Sequence, residues 1–217
     1  MNSRCISVRF QAGLACFTRP ESKVERVSYP VLTPSAARGA LEAIYWHPQF
    51  RWVVREIRVL AEIKTFSILR NEVNSKMSPS SPGFFADEDR TQRHAVCLRD
   101  VDYVVLAEPV PKLGTDPAAK HIDILNRRVA KGQCFHRPYL GTREFAAEFS
   151  AGEGSPTPID VTEDFGLMLW DLAFPERDKD NKFIDGKPAK AYPPLFFSAK
   201  LDRGLMRIPD APIGGDF

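Results

Sequence analysis

The stretch TDPAAKHIDILNRRVAKG, Thr115 to Gly132, decides how the chain folds. Thr115, Asp116 and Pro117 give the cap-and-proline signal of a helix start: a short polar side chain satisfies open amides, and proline needs no amide partner in a first turn. Ala118, Ile122, Leu125 and Val129 then recur at helical spacing, which predicts an apolar face turned inward. Lys120, Arg127 and Lys131 form a basic stripe beside it. Gly132 fits the position just past a helix, where the backbone turns left-handed.

Working outward, three strands and a helix are predicted before this helix and one strand after it. Upstream, HAVCLRDVDYVVLAEPV reads as a strand. RWVVREIRVLAEIKTFSI, rich in β-branched and aromatic residues, reads as one long or bent strand, with a helix through part of it as the alternative. Residues 75–92, rich in serine and proline, read as a long loop between them. Further back, Thr33-Pro34 starts another helix, with Ala36, Ala37, Ala40, Leu41 and Ile44 on one face and Arg38, Glu42 and Tyr45 on another, ending before Pro48. Ile6, Val8 and Phe10 alternate with Ser7, Arg9 and Gln11 as a first strand. Downstream, CFHRPYLGTREFAAEFS carries a turn and a fourth strand.

The order strand, helix, strand, strand, helix, strand is the α+β, ferredoxin-like (RRM-like) βαββαβ pattern, assigned to residues 1–150. Residues 151–217 read as an antiparallel β-rich subdomain: DFGLMLWDLAF, a charged excursion, then PLFFSAKLDRGLMRIP with a turn at Asp202, Arg203 and Gly204. In the βαββαβ frame the first two strands are parallel and the third lies antiparallel between them. The end of the first helix then approaches the start of the second. Tyr45 is thereby expected to meet Lys120 and His121.

The chain is 43% hydrophobic over 217 residues, enough for a continuous core. No apolar run suffices for a membrane span and no secretory signal is legible, so a cytoplasmic protein is expected. Cys5, Cys16, Cys97 and Cys134 lie far apart without a CxxC pair, so free thiols are expected and no metal site is suggested. Asp164-Phe165-Gly166 lacks the other kinase elements, and the Asp178–Gly186 segment puts Phe183 and Ala189 where a calcium loop needs glycine and glutamate. Net charge is +2, but residues 1–138 hold 21 Lys and Arg against 14 Asp and Glu, whereas 139–217 hold 9 against 14. One part of the surface can therefore attract phosphate.

RNA supplies its own nucleophile, the 2′-hydroxyl, so a base, a cation and a proton donor suffice to cut it. His121 suits acid or base work, because an imidazole titrates near neutrality and a helix start favours its neutral form. Lys120 suits neutralisation of the phosphorane, and Tyr45 suits orienting the ribose or sharing a proton. Arg19, Lys23 and Arg26 form a basic run flanked by Phe17 and Tyr29, which offer stacking surfaces. Taken alone, these residues support a ferredoxin-like domain with an anionic partner.

Four segments go further: ACFTRPESKVERVSYPVLTPSAARGALEAIYW, RNEVNSK, AKHIDILNRRVAKGQCFHRPYLGTREF and PLFF. Together, and in this order, they resemble the CRISPR-associated Cas-five family in its type I-C form (subtype d), within the RAMP superfamily. The resemblance implies a metal-independent endoribonuclease, with no cofactor, that cuts CRISPR precursor RNA at the base of the repeat hairpin. It implies Tyr45, Lys120 and His121 as the catalytic set. It also implies that the protein stays on the 5′ handle of the guide beside the backbone and large subunits of a surveillance (Cascade) complex, with double-stranded DNA as a further candidate partner. Gly132, His136, Arg137 and Arg143 correspond to an RNA-contact loop, and Arg38, Lys76, Arg127 and Lys131 complete the candidate RNA contacts. The rival reading is a guide-capping structural subunit that does not cut.

Overall fold

The computed structural model describes residues 5–22, 24–80, 83–112, 114–175, 177–178, 180–182 and 192–213. The chain runs β1 (Ile6–Ala15), β2 (Arg26–Val27), α1 (Pro34–Ile44), β3 (Phe50–Val59), β4 (Lys64–Val73), β5 (Arg90–Pro111), α2 (Ala118–Ala130), β6 (Glu148–Ala151), β7 (Glu163–Leu172), β8 (Pro194–Leu201) and β9 (Leu205–Arg207). It is an α+β fold of mostly antiparallel sheet.

The main sheet has the order β6-β1-β5-β3-β9. β1 and β3 both run antiparallel to β5, and β6 runs antiparallel to β1. β1 and β3 are therefore parallel to each other with β5 between them. Alternation sets the faces: Ile6, Val8 and Phe10 are buried, while Arg9 on the other face makes a two-pronged ion pair with Asp102 (Nε–Oδ1 2.9 Å, Nη2–Oδ2 2.5 Å).

The single bent strand expected over RWVVREIRVLAEIKTFSI is two strands, β3 and β4, broken at residues 60–63 and laid end to end along β5. The 22-residue β5 pairs with β4 through its first half and with β1 and β3 through its second. Asp100, at φ 53°, bends it between the halves, a conformation that aspartate tolerates better than most residues. The expected loop 75–92 is shorter, because residues 90–92 already belong to β5. It forms the tip of the β4–β5 hairpin.

Thr33 caps α1 as expected, its hydroxyl accepting the Ala36 amide at 3.3 Å. Ala37, Ala40, Leu41 and Ile44 are buried, and so is Tyr45, which the sequence reading had put on the other face in the last turn. Tyr45 is instead the C-terminal cap: its backbone is extended while its amide still bonds Leu41 O at 2.9 Å. That change of direction swings the phenol out of the helix and into the layer beneath α2.

The C-terminal strands extend the structure in two ways. β9 adds to the edge of the main sheet beside β3, whereas β7 and β8 form a separate two-stranded sheet. Met168, Phe197, Ala199, Leu201, Met206 and Ile208 join the same buried cluster as β1, α1 and β5. Each of these side chains other than Ala199 contributes about 1.5–3 kcal/mol by burial, so the two sequence halves stabilise one another. Much of the charged excursion falls on residues 183–191, outside the described residues. Among the described residues, no helix is long and apolar enough to cross a membrane.

Candidate active site

Topology brings the end of α1 to the side of α2. The Tyr45 hydroxyl lies 3.0 Å from His121 Nδ1, and either atom can donate depending on the imidazole tautomer. Arg128, two turns after His121, reinforces the junction: its Nη1 donates to Ile44 O at 2.6 Å and its guanidinium lies 4.9 Å from the Tyr45 ring centroid. The amides of Phe135 and His136 both donate to Ala43 O, at 2.9 and 3.1 Å, so the loop after α2 is pinned to the same helix end. Trp52 Nε1 closes the far side by donating to Tyr45 O at 2.8 Å.

His121 is more enclosed than its place in a first helical turn suggested. It is 0% exposed, because it shares the inward face with Leu125 and Val129 at successive spacings of four. The sequence carried this signal, but Ala118 and Ile122, read as inward, are only half-buried. Phe50 packs on the ring at 4.3 Å between centroids and His47 at 5.9 Å. Nε2 is buried without a hydrogen-bond partner among the described residues. A buried, unsatisfied imidazole nitrogen is costly, and such atoms concentrate where function requires them.

Burial lowers the His121 pKa from 6.5, with His47 adding to the effect, Asp116 opposing it and Lys120 adding again. The ring is therefore neutral at pH 7. Burial raises the Tyr45 pKa, against the positive charges of Arg128 and Lys120, so the phenol keeps its proton. Lys120 points to solvent, and its ammonium sits 2.8 Å from Asp116 Oδ2. That hydrogen bond raises the Lys120 pKa and lowers that of Asp116. The pair holds a charged ammonium one residue from the neutral imidazole.

The expected cap of α2 differs. Pro117 is the capping residue and no side chain bonds the first turn; Thr115 Oγ1 donates elsewhere, to Gln49 O at 3.2 Å and Lys112 O at 2.5 Å. Gly132, at φ 62°, follows the helix as predicted.

The candidate RNA contacts divide into two groups. Lys76, Arg127, Lys131, His136, Arg137 and Arg143 are exposed, with Arg137 also 3.1 Å from Glu148. The other group is engaged within the fold. Arg38 bonds Asp171 and Glu42, so it ties α1 to β7 and does not present a free guanidinium. Arg26 lies 3.6 Å from Glu72 and 3.8 Å from Glu144, in a network that also holds Arg70 and Arg93 toward the loop end of the β4–β5 hairpin. Arg19 stacks on Tyr29, 4.8 Å from its ring centroid. Lys23 lies outside the described residues. Asp171 lies 133 residues from Arg38, and Glu72 and Glu144 lie far along the chain from Arg26, which is why the sequence could not sort these two arginines. His47 and Arg128 were not singled out as site residues; the seven-residue spacing from His121 to Arg128 was the available signal for the second.

Cys16 and Cys97 are buried and Cys5 and Cys134 half-buried, all as free thiols. Among the described residues, no three His, Cys, Asp or Glu side chains gather as a metal-binding group.

A family model described as CRISPR-associated protein (Cas_Cas5), in its Cas5d form, matches residues 5–209. A protein of Thermus thermophilus named CRISPR pre-crRNA endoribonuclease Cas5d is 45% identical over 210 residues, covering 94% of this chain and 91% of its own length. One of Mannheimia succiniciproducens with the same name is 40% identical over 226 residues, covering 94% of each. Two solved structures share the fold at TM-score 0.66. A functionally uncharacterized protein of Streptococcus mutans is 22% identical, with 95% of this chain and 93% of that one covered. A structure described as a CRISPR-associated protein is 23% identical, with 99% and 96% covered. The family match and the curated relatives span the segments that form the Tyr45–His121 junction, and on them the chain belongs to the CRISPR-associated Cas5d family.

Proposed function

We propose that this protein is a metal-independent endoribonuclease that cuts CRISPR precursor RNA at the base of the repeat hairpin. The observation that carries the reading is the 3.0 Å meeting of Tyr45 with His121, beside the Lys120 ammonium, in a chain 45% and 40% identical to two proteins named pre-crRNA endoribonucleases. The 2′-hydroxyl attacks the adjacent phosphorus. Lys120 turns from Asp116 to the developing phosphorane charge, His121 handles a proton, and Tyr45 fixes the imidazole's tautomer and orientation. α2 lacks a side-chain cap, so its first amides are open to a phosphate oxygen.

The ferredoxin-like (RRM-like) reading of residues 1–150 is supported by the order β6-β1-β5-β3 with a helix after β1 and another after β5. Residues 151–217 act as a β-rich buttress that holds α1 through Asp171. The exposed cations Lys131, Arg137 and Arg143, with Arg127, His136 and Lys76, contact the RNA backbone. After cleavage the protein stays in the cytoplasm on the 5′ handle, as a subunit of the type I-C surveillance complex beside its backbone and large subunits; duplex DNA is a further partner.

The test is incubation with cognate repeat RNA in EDTA, beside the same RNA carrying deoxyribose at the scissile nucleotide. Cleavage of the first alone is expected. Binding without cleavage of either would favour a guide-capping structural subunit instead.

A further inference from the structure

Cleavage by the 2′-hydroxyl needs two proton transfers, one away from the 2′-oxygen and one onto the departing 5′-oxygen. His121 is poorly placed to serve both. Its ring is fully buried, Nδ1 faces the Tyr45 hydroxyl, and Phe50 covers it at 4.3 Å. The neighbouring imidazole that also reaches solvent is His47. It is half-buried, with its ring centroid 5.9 Å from that of His121 and the planes tilted by 33°.

His47 is locally fixed. It lies in the turn between α1 and β3, two residues after Tyr45 and directly before Pro48, and its Nδ1 accepts the Gln49 amide at 3.4 Å. Nε2 is then the atom available to a substrate. The titratable groups that interact with it are Asp116, in the turn before α2, and His121 on α2, and Tyr45 lies two residues before it on its own segment. Asp116 is shared between Lys120 and His47: it hydrogen-bonds the exposed Lys120 and also feels the half-buried His47.

We propose that His47 is a further catalytic residue, the general acid that gives a proton to the 5′-oxygen of the RNA. This deepens the ribonuclease reading and rests on it. In the step, the 2′-oxygen gives its proton to the neutral His121 imidazole and bonds to phosphorus, the P–O5′ bond breaks, and O5′ takes the Nε2 proton of His47 in its imidazolium form, which is left as neutral imidazole. The products are a 2′,3′-cyclic phosphate and a 5′-hydroxyl. One proton leaves the RNA and one arrives, so His47 is restored by proton exchange with solvent.

The experiment compares the parent protein with His47→Ala and His47→Gln in EDTA under single-turnover conditions, on normal repeat RNA and on RNA with sulfur in place of the scissile 5′-oxygen. A thiolate leaves without needing a proton. On normal RNA both variants should be about 10²-fold slower or more. On the sulfur substrate they should cut within about threefold of the parent, and both should bind 2′-deoxy RNA within about threefold of the parent. Equal slowing on both substrates, a loss explained by weaker binding, or normal rates on normal RNA would each overturn the assignment. If the parent cuts and the variants cut as well, only His47's role falls. If the parent cuts neither RNA, the ribonuclease reading falls and takes His47's role with it.

Discussion

Helix α1 is joined to distant parts of the chain at two places, and the two junctions are built on opposite principles. Near its start, Arg38 donates to Asp171 Oδ2 at 2.8 Å, to Asp171 Oδ1 at 2.9 Å and to Glu42 Oε1 at 2.8 Å, while Ser35 also donates to Asp171 at 3.0 Å. Burial works against the charge on Arg38, but the hydrogen bonds and charges of Asp171 and Glu42 more than offset it, so its pKa is raised. At its other end Tyr45 meets His121 through one hydrogen bond, and His121 Nε2 is left unpartnered. The first junction is closed and serves the fold. The second is incomplete, as expected where a substrate is to supply the missing partner.

The sharpest way to break this contrast is to remove one key side chain from each junction. His121→Ala should slow cleavage by about 10²- to 10⁴-fold, the usual contribution of a positioned acid or base, with RNA affinity unchanged in a binding titration. An unchanged cleavage rate would show that the second junction is merely structural. Arg38→Ala should do the converse. It strands Asp171 and Glu42 and should cost about 3 kcal/mol in urea-induced unfolding, while cleavage by the folded fraction persists.

Smaller changes refine the comparison. Tyr45→Phe deletes the hydrogen bond between Tyr45 and His121 and should cost about 1 kcal/mol of stability, together with a loss of rate that the Arg38 junction would not produce. Acidification probes His121 directly. Because its folded pKa is depressed below 6.5, the unfolded chain takes up a proton that the folded chain resists. The stability present above 6.5 is therefore lost progressively as pH falls below it. Urea midpoints should drop on acidification, and should drop less in His121→Gln. The smallest effect concerns the exposed stripe: Lys131→Ala should weaken RNA binding modestly and reduce the salt dependence of affinity by about one phosphate contact. An unchanged slope would remove Lys131 from the interface.

Much of the site was legible before any coordinates. Thr33-Pro34 and Gly132 bounded the helices correctly, and the strand order implied that the ends bearing Tyr45 and His121 would meet. Three points were not legible. β3 and β4 are collinear along β5 and differ only by a short break, so their periodicity ran together. The cap of α2 passed to Pro117 because Thr115 and Asp116 found partners elsewhere. Arg26 and Arg38 looked like free cations because Glu72, Asp171 and Glu144, the distant carboxylates that engage them, come from β4, β7 and the 142–145 turn.

The sequence by itself determined the two helices, the alternating strands, the family, and the residue types that can cut RNA without help. These follow from periodicity and from local capping chemistry, which act over a few residues. Tertiary structure alone decided which of those residues face water. It buried His121 on the inward face of α2, exposed Lys120 one residue away, set His47 beside His121 and closed Arg38 into a strut. Burial and pairing depend on what the rest of the chain places within a few ångströms, and no local pattern records that.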